Sequence, residues 1–105
     1  MKTFTMNPPY CAAVECCLAV DYPKRQIRIY AKGESGWEPW MTATSFVPGL
    51  NGNEIAIKNY SENEGVLDAL IRIGAISQPH RQQNAGLVKL DICSMNRERL
   101  SEYAM

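Results

Sequence analysis

Apolar and polar positions alternate cleanly at two places in this chain. From Gln26 to Lys32, Ile27, Ile29 and Ala31 fall on one face and Arg28, Tyr30 and Lys32 on the other. From Leu87 to Cys93, Val88, Leu90 and Ile92 point inward while Lys89 and Asp91 point outward. A period of two marks a half-buried strand, because successive side chains leave opposite faces of the backbone. Glu54–Lys58, with Ile55 and Ile57 inward, predicts a shorter strand of the same kind. Trp40–Val47 predicts another from its aromatic and β-branched content. Residues 11–21 (CAAVECCLAVD) alternate imperfectly; a strand is favoured, with an Ala-rich helix as the competing reading. Residues 1–10 contain Asn7-Pro8-Pro9 and read as an irregular entry arm.

The period changes after Tyr60. Val66, Leu67, Leu70, Ile71 and Ile73 recur at helical spacing, with Glu64, Asp68 and Arg72 on the opposite side. Ser61-x-x-Glu64 has the spacing of a capping box, and Asp68 and Arg72 have the order of a favourable i,i+4 pair. Gly74 is placed to end the helix in the left-handed conformation, with Ile76 packing back on the last turn. Turns fall at 22–25, 33–36 and 48–53, and residues 77–86 read as a polar loop. The tail carries Leu100 and Tyr103, enough for a short terminal helix at most. The expected fold is α+β: an antiparallel four- to five-stranded sheet with one amphipathic helix packed on one face, in the order β-β-β-β-α-β. An exposed edge at 11–20 or 87–93 would offer pairing across a two-fold axis and hence a homodimer.

Composition narrows the function classes. A chain of 105 residues suits one domain, residues 1–105. With 46% hydrophobic and 21% charged residues it is not a disordered tail. Eleven basic and eleven acidic side chains leave no positive excess for a general nucleic-acid binder. The neutrality is uneven, however. Residues 22–32 hold Lys24, Arg25, Arg28 and Lys32 and no acid, whereas 54–68 hold Glu54, Glu62, Glu64 and Asp68 against Lys58 alone. The N-terminal stretch lacks the apolar core of a secretory signal, and no run approaches a membrane span. A soluble cytoplasmic protein is the expectation, with Cys11, Cys16, Cys17 and Cys93 as free thiols packed as small hydrophobes.

Few chemistries find the residues they need. No glycine pattern of a phosphate-binding loop is present, no CxxC pair suggests a metal, and no cofactor is implied. His80 is the one histidine, and pairing with a cysteine would be needed for nucleophilic catalysis. Its plainer reading is a solvated loop residue. Glu62 and Glu64 could form an acidic lip, but acids at a helix start more simply offset the macrodipole. Trp37 and Trp40 in GWEPW are candidates for a recognition surface or for sheet packing. Arg28, Tyr30 and Lys32 could contact phosphate and stack a base, against the default of a solvated strand face.

One stretch, IKNYSENEGVLDALIRIGAI (Ile57–Ile76), carries a resemblance. A strand ending in Lys58, then Tyr60, the acidic run Ser61–Glu64, Gly65, Leu67, Leu70, Gly74 and Ile76 resembles a family of small proteins of unknown function. These proteins are carried on plasmids, prophages and conjugative elements of proteobacteria. The resemblance implies an accessory role in mobile DNA and supplies no catalytic residues. Small proteins of such elements often act by binding a host or competitor protein, so an inhibitor of host defence is one expectation. The leading expectation is a non-catalytic protein-binding accessory protein, its partner encoded by the host or the element. Its candidate binding residues are Trp37, Trp40, Tyr60, Glu62, His80 and Arg81. The alternative is a nucleic-acid-binding accessory in which Arg28, Tyr30, Lys32, Lys58, His80 and Arg81 converge on one face. A small enzyme using a cysteine with His80 ranks third.

Overall fold

The alternating segments do become strands, but they build two sheets instead of one. The computed structural model describes residues 1–105. Four antiparallel strands in the order β1-β2-β3-β4 form the first sheet: Phe4–Met6, Val14–Asp21, Gln26–Gly33 and Gly36–Thr42. The second sheet is also antiparallel, in the order β5-β7-β6, from Glu54–Ile57 (β5), Arg81–Ala85 (β6) and Val88–Ser94 (β7). Two α-helices complete the α+β fold, α1 at Val66–Arg72 and α2 at Arg97–Tyr103. The single sheet with one helix is thus corrected to seven strands in two sheets with two helices.

The sheets meet at residues 43–45. The Ala43 N–H donates to the Ile27 carbonyl at 2.8 Å, continuing the β3–β4 pairing. The Ala43 carbonyl accepts from Lys58 at 2.9 Å, and the Ser45 N–H donates to Ala56 at 3.0 Å, both on the β5 side. The chain therefore leaves one sheet and enters the other without losing its hydrogen bonds, as strands do at the corners of orthogonal packings. Thr44 is buried there, and its hydroxyl accepts from the Ile27 N–H at 3.1 Å.

One core of nineteen buried residues joins all the layers. Cys16, Leu18, Ile27 and Ile29 come from the first sheet, Ile55, Ile57 and Cys93 from the second, Val66, Leu70, Leu100 and Tyr103 from the helices. Leu90 and Ile92 do not join it. They lie on the far face of the second sheet with Ala56, where Val47 covers them. The clean alternation of 87–93 is real, with Lys89 exposed, but at the end of β7 Cys93 turns the other way and enters the main core.

The helix start differs from the capping box. Ser61–Asn63 form a 3-10 turn, Ser61 sits at φ +52°, and Gly65 at φ +98° interrupts the run before Val66. A glycine tolerates that left-handed step, so the chain breaks there. The cap is supplied from further back: the Asn59 Oδ1 accepts from the N–H groups of Gly65 and Leu67, at 3.1 and 3.2 Å. Nor does Arg72 pair with Asp68; its guanidinium donates to the Thr5 carbonyl and ties α1 to β1. Gly74 does end the helix with φ +77°.

Neither predicted edge is an edge. β2 lies between β1 and β3, and β7 between β5 and β6. Beyond β1, the C-terminal residues occupy the flank of β2: Ala104 bridges Leu18, and the Met105 N–H donates to the Leu18 carbonyl at 2.8 Å. The terminal helix is anchored by Asn96, whose side chain accepts from the Arg99 N–H at 3.1 Å, and by Tyr103 packing edge-on against Phe4.

Thr44→Val should destabilise the protein by about 1–3 kcal/mol, because it leaves the buried Ile27 N–H without an acceptor while keeping the side-chain volume. Asn59→Ala should cost about 0.5–2 kcal/mol through the lost cap, whereas Ser61→Ala should change little. Urea unfolding of the three variants checks both; a Ser61 cost equal to that of Asn59 would restore the capping box.

Candidate functional site

The six binding residues expected from sequence occupy three separate places. His80 and Arg81 enter together at the start of β6, and both meet Glu54 at the start of β5. The His80 Nε2 lies 2.7 Å from the Glu54 Oε2, and the Arg81 guanidinium donates to Oε1 at 3.0 Å. The Asn51 N–H donates to Oε1 as well, at 3.0 Å. His80, Arg81 and the Asn51 N–H, in that order of weight, hold the Glu54 carboxyl at about 2, below the ordinary 4.5. The pairing reaches across the central strand β7, where Glu54 faces Ser94 and Arg81 faces Ile92. Two of the expected cationic contacts are thus already satisfied within the protein.

Trp40 and Glu62 meet through Tyr10. The Tyr10 hydroxyl donates to the Glu62 carbonyl at 2.9 Å, and Trp40 lies beside the same phenol. Trp40 is the bulged residue of β4, because Ile29 pairs with Met41 and Tyr30 with Pro39. The bulge turns the half-buried indole onto the rim of the main core. Tyr60 is exposed just before the 3-10 turn. Trp37 stands apart, opposite Lys32 near the β3–β4 turn. It shares the uncovered face of the first sheet with Tyr30, where Lys32 is met by Glu15 at 3.7 Å. Arg28, Tyr30 and Lys32 therefore share a face, but Lys58 lies on the 43–45 junction and His80 and Arg81 lie on Glu54.

An exposed aromatic lies elsewhere, beside a groove. Phe46 is 86% exposed on the lip of a groove of about 520 Å³. The groove runs between the β2–β3 turn, Pro23–Gln26, and the segment Ser45–Leu50. Its position follows from the corner. Val47 points inward to cover Leu90 and Ile92, and its neighbour Phe46 faces the opposite way, outward. Lys24 and Arg25 form the opposite lip, and none of the ten lining residues is acidic. Sequence reasoning placed Phe46 in a strand and gave it no role. The signal was the adjacent pair Phe46-Val47, of which one member must face out of an extended chain.

The cysteines and the histidine do not assemble. His80 hydrogen-bonds Glu54, not a thiol. Cys16, Cys17 and Cys93 are buried, and burial pushes the Cys16 and Cys93 thiols up to about 12. Cys11 is exposed, a correction to the expectation that all four pack as small hydrophobes. No three His, Cys, Asp or Glu side chains converge as metal ligands. No helix is long and apolar enough to cross a membrane. Comparison of the chain with protein-family models, with curated proteins and with solved structures finds no match.

Glu54 makes stability depend on pH. The unfolded chain protonates this carboxyl near its ordinary 4.5, the folded chain only near 2. Its contribution is therefore complete above pH 4.5 and is lost as the pH falls towards 2. Glu102, held down by Lys2, acts in the same direction. Thermal melts should show Tm falling across that window, and Glu54→Gln should flatten the fall. An equally steep fall in the variant would assign the acid sensitivity to other groups.

Proposed function

We propose that the protein is a non-catalytic protein-binding module whose docking surface is the groove beneath Phe46. The single observation that supports this is an aromatic side chain, 86% exposed, on the lip of an acid-free groove. A large exposed aromatic has an unfavourable contact with water that a partner would relieve, and aromatics dominate binding hot spots. Phe46, Val47 and Leu50 supply the apolar lining, while Lys24 and Arg25 set the sign of the rim. The fitting occupant is an extended segment of a partner protein with an apolar anchor and acidic neighbours.

The resemblance of Ile57–Ile76 supports a setting in mobile DNA. In this reading the protein is an accessory factor acting in the cytoplasm on a host or element-encoded protein, with inhibition of a host defence as one such action. Trp37, Trp40 and Tyr60 lie outside the groove and contribute less than Phe46.

Selection from a displayed random-peptide library tests the groove without knowing the partner. Binders should be enriched in acidic residues around an aromatic or aliphatic anchor. Phe46→Ser should weaken a selected peptide by about 10–100-fold, the loss of one hot-spot aromatic. Lys24→Glu should weaken it as well, and Trp37→Ser should not. Selection of the same peptides by Phe46→Ser, or none by the native protein, would refute the assignment.

A further inference from the structure

We propose that Arg25 and Arg97 form a binding site for a phosphate monoester. They line a cleft of about 240 Å³ together with Tyr22, Pro23 and Gly52, and no lining residue is acidic. The site goes beyond the peptide groove, because Tyr22, Gly52 and Arg97 lie outside it.

Both guanidinium groups are held in place, and by neutral groups only. The Arg25 Nη1 donates to the carbonyls of Gly52 and Glu54, at 2.8 and 2.7 Å. The Arg97 Nε donates to the Asn53 Oδ1 at 3.2 Å, and its guanidinium carbon lies 4.7 Å from the centre of the Tyr22 ring. These contacts fix geometry without neutralising charge. Elsewhere in the molecule, basic side chains that come together share a carboxylate. His80 and Arg81 share Glu54, and Lys2 and Arg99 share Glu102. The Arg25–Arg97 pair has no such acid.

The turn that carries Arg25 adds a second argument. Arg25 sits at φ +52°, where glycine or asparagine would be unstrained. Strain of this kind persists where the surroundings over-determine it, and it clusters at ligand sites. Each guanidinium has five N–H groups, so both retain donors beyond those already used. Two fixed forks suit a tetrahedral oxyanion with several acceptor oxygens. Because the donors are already ordered, binding costs little side-chain entropy.

Thermal melts and titration calorimetry with sodium phosphate, against sodium chloride at equal ionic strength, test the site. A saturable rise in Tm with phosphate is expected. Arg97→Gln and Arg25→Gln should each weaken it at least about tenfold, the loss of a charge-assisted fork. Arg97→Lys keeps the charge but not the fork and should fall between. Arg28→Gln, outside the cleft, should bind as the native protein does. A peptide bearing one phosphoserine, compared with its unphosphorylated form and with free phosphate, distinguishes the source. Tighter binding of the phosphopeptide than of both marks a modified partner, and equal binding marks a free small anion. No saturable rise beyond chloride, or a rise unchanged in both glutamine variants, overturns the proposal. Failure here would leave the peptide selection at Phe46→Ser unaffected, so the two readings fall separately.

Discussion

Ala43 donates to Ile27 and accepts from Lys58, while Ser45 donates to Ala56. One extended segment is thereby hydrogen-bonded to both sheets, and Thr44 between them is buried with its hydroxyl on the Ile27 N–H. Turning a chain between two sheets inside a protein would normally strand backbone polar groups, each costly when unpaired. Here the Ala43 N–H, the Ala43 carbonyl and the Ser45 N–H all keep partners. The sheets can then fold over one another and share a single core. The helices close its remaining sides, α1 tied to β1 through Arg72 and α2 through Tyr103 against Phe4. The same corner forces the alternation that places Val47 inside and Phe46 outside. The exposed aromatic is thus a by-product of how the fold turns.

Segments with strong periodicity were legible because one face of each meets a core. Gln26–Gly33, Glu54–Ile57 and Val66–Arg72 all appear close to where the apolar spacing puts them. The segments that were missed lack that signal for physical reasons. β6 (RQQNA) is a terminal strand with no fully buried residue, so its sequence has no apolar face to read. β1 has three residues, held by pairing to Glu15 and its neighbours and followed by two prolines. β4 begins at Gly36, earlier than Trp40, because the bulge at Trp40 interrupts its alternation. The helix start was misplaced because two caps competed, and the side chain that won lies six residues before Gly65.

The site was less legible than the fold. The sequence drew attention to tryptophans by residue type, yet the structure half-buries both. Charge was easier to see but not its pairing: Glu54 lies twenty-six residues from His80 and twenty-seven from Arg81, and meets both across β5, β7 and β6. By contrast, the cluster at Lys24 and Arg25 was visible as a stretch without acid, and folding brings Arg97 to it instead of a carboxylate. A local imbalance in sequence predicts a surface patch only when the fold adds no counter-charge from elsewhere.

That distinction changes what zero net charge means. Glu62, Glu64 and Asp68 follow the end of β5, whereas Arg25 and the Asn53–Arg97 contact lie at its start. A four-residue strand separates them by about 10 Å, close to the Debye length at physiological salt. At that distance opposite charges on a wet surface no longer cancel one another effectively. Far from the protein the opposite charges largely cancel, as the formal net charge of zero requires. Within contact range each keeps its own sign. A surface of that kind presents its fixed donors, such as Arg25 and Arg97, only within contact range and not by long-range steering.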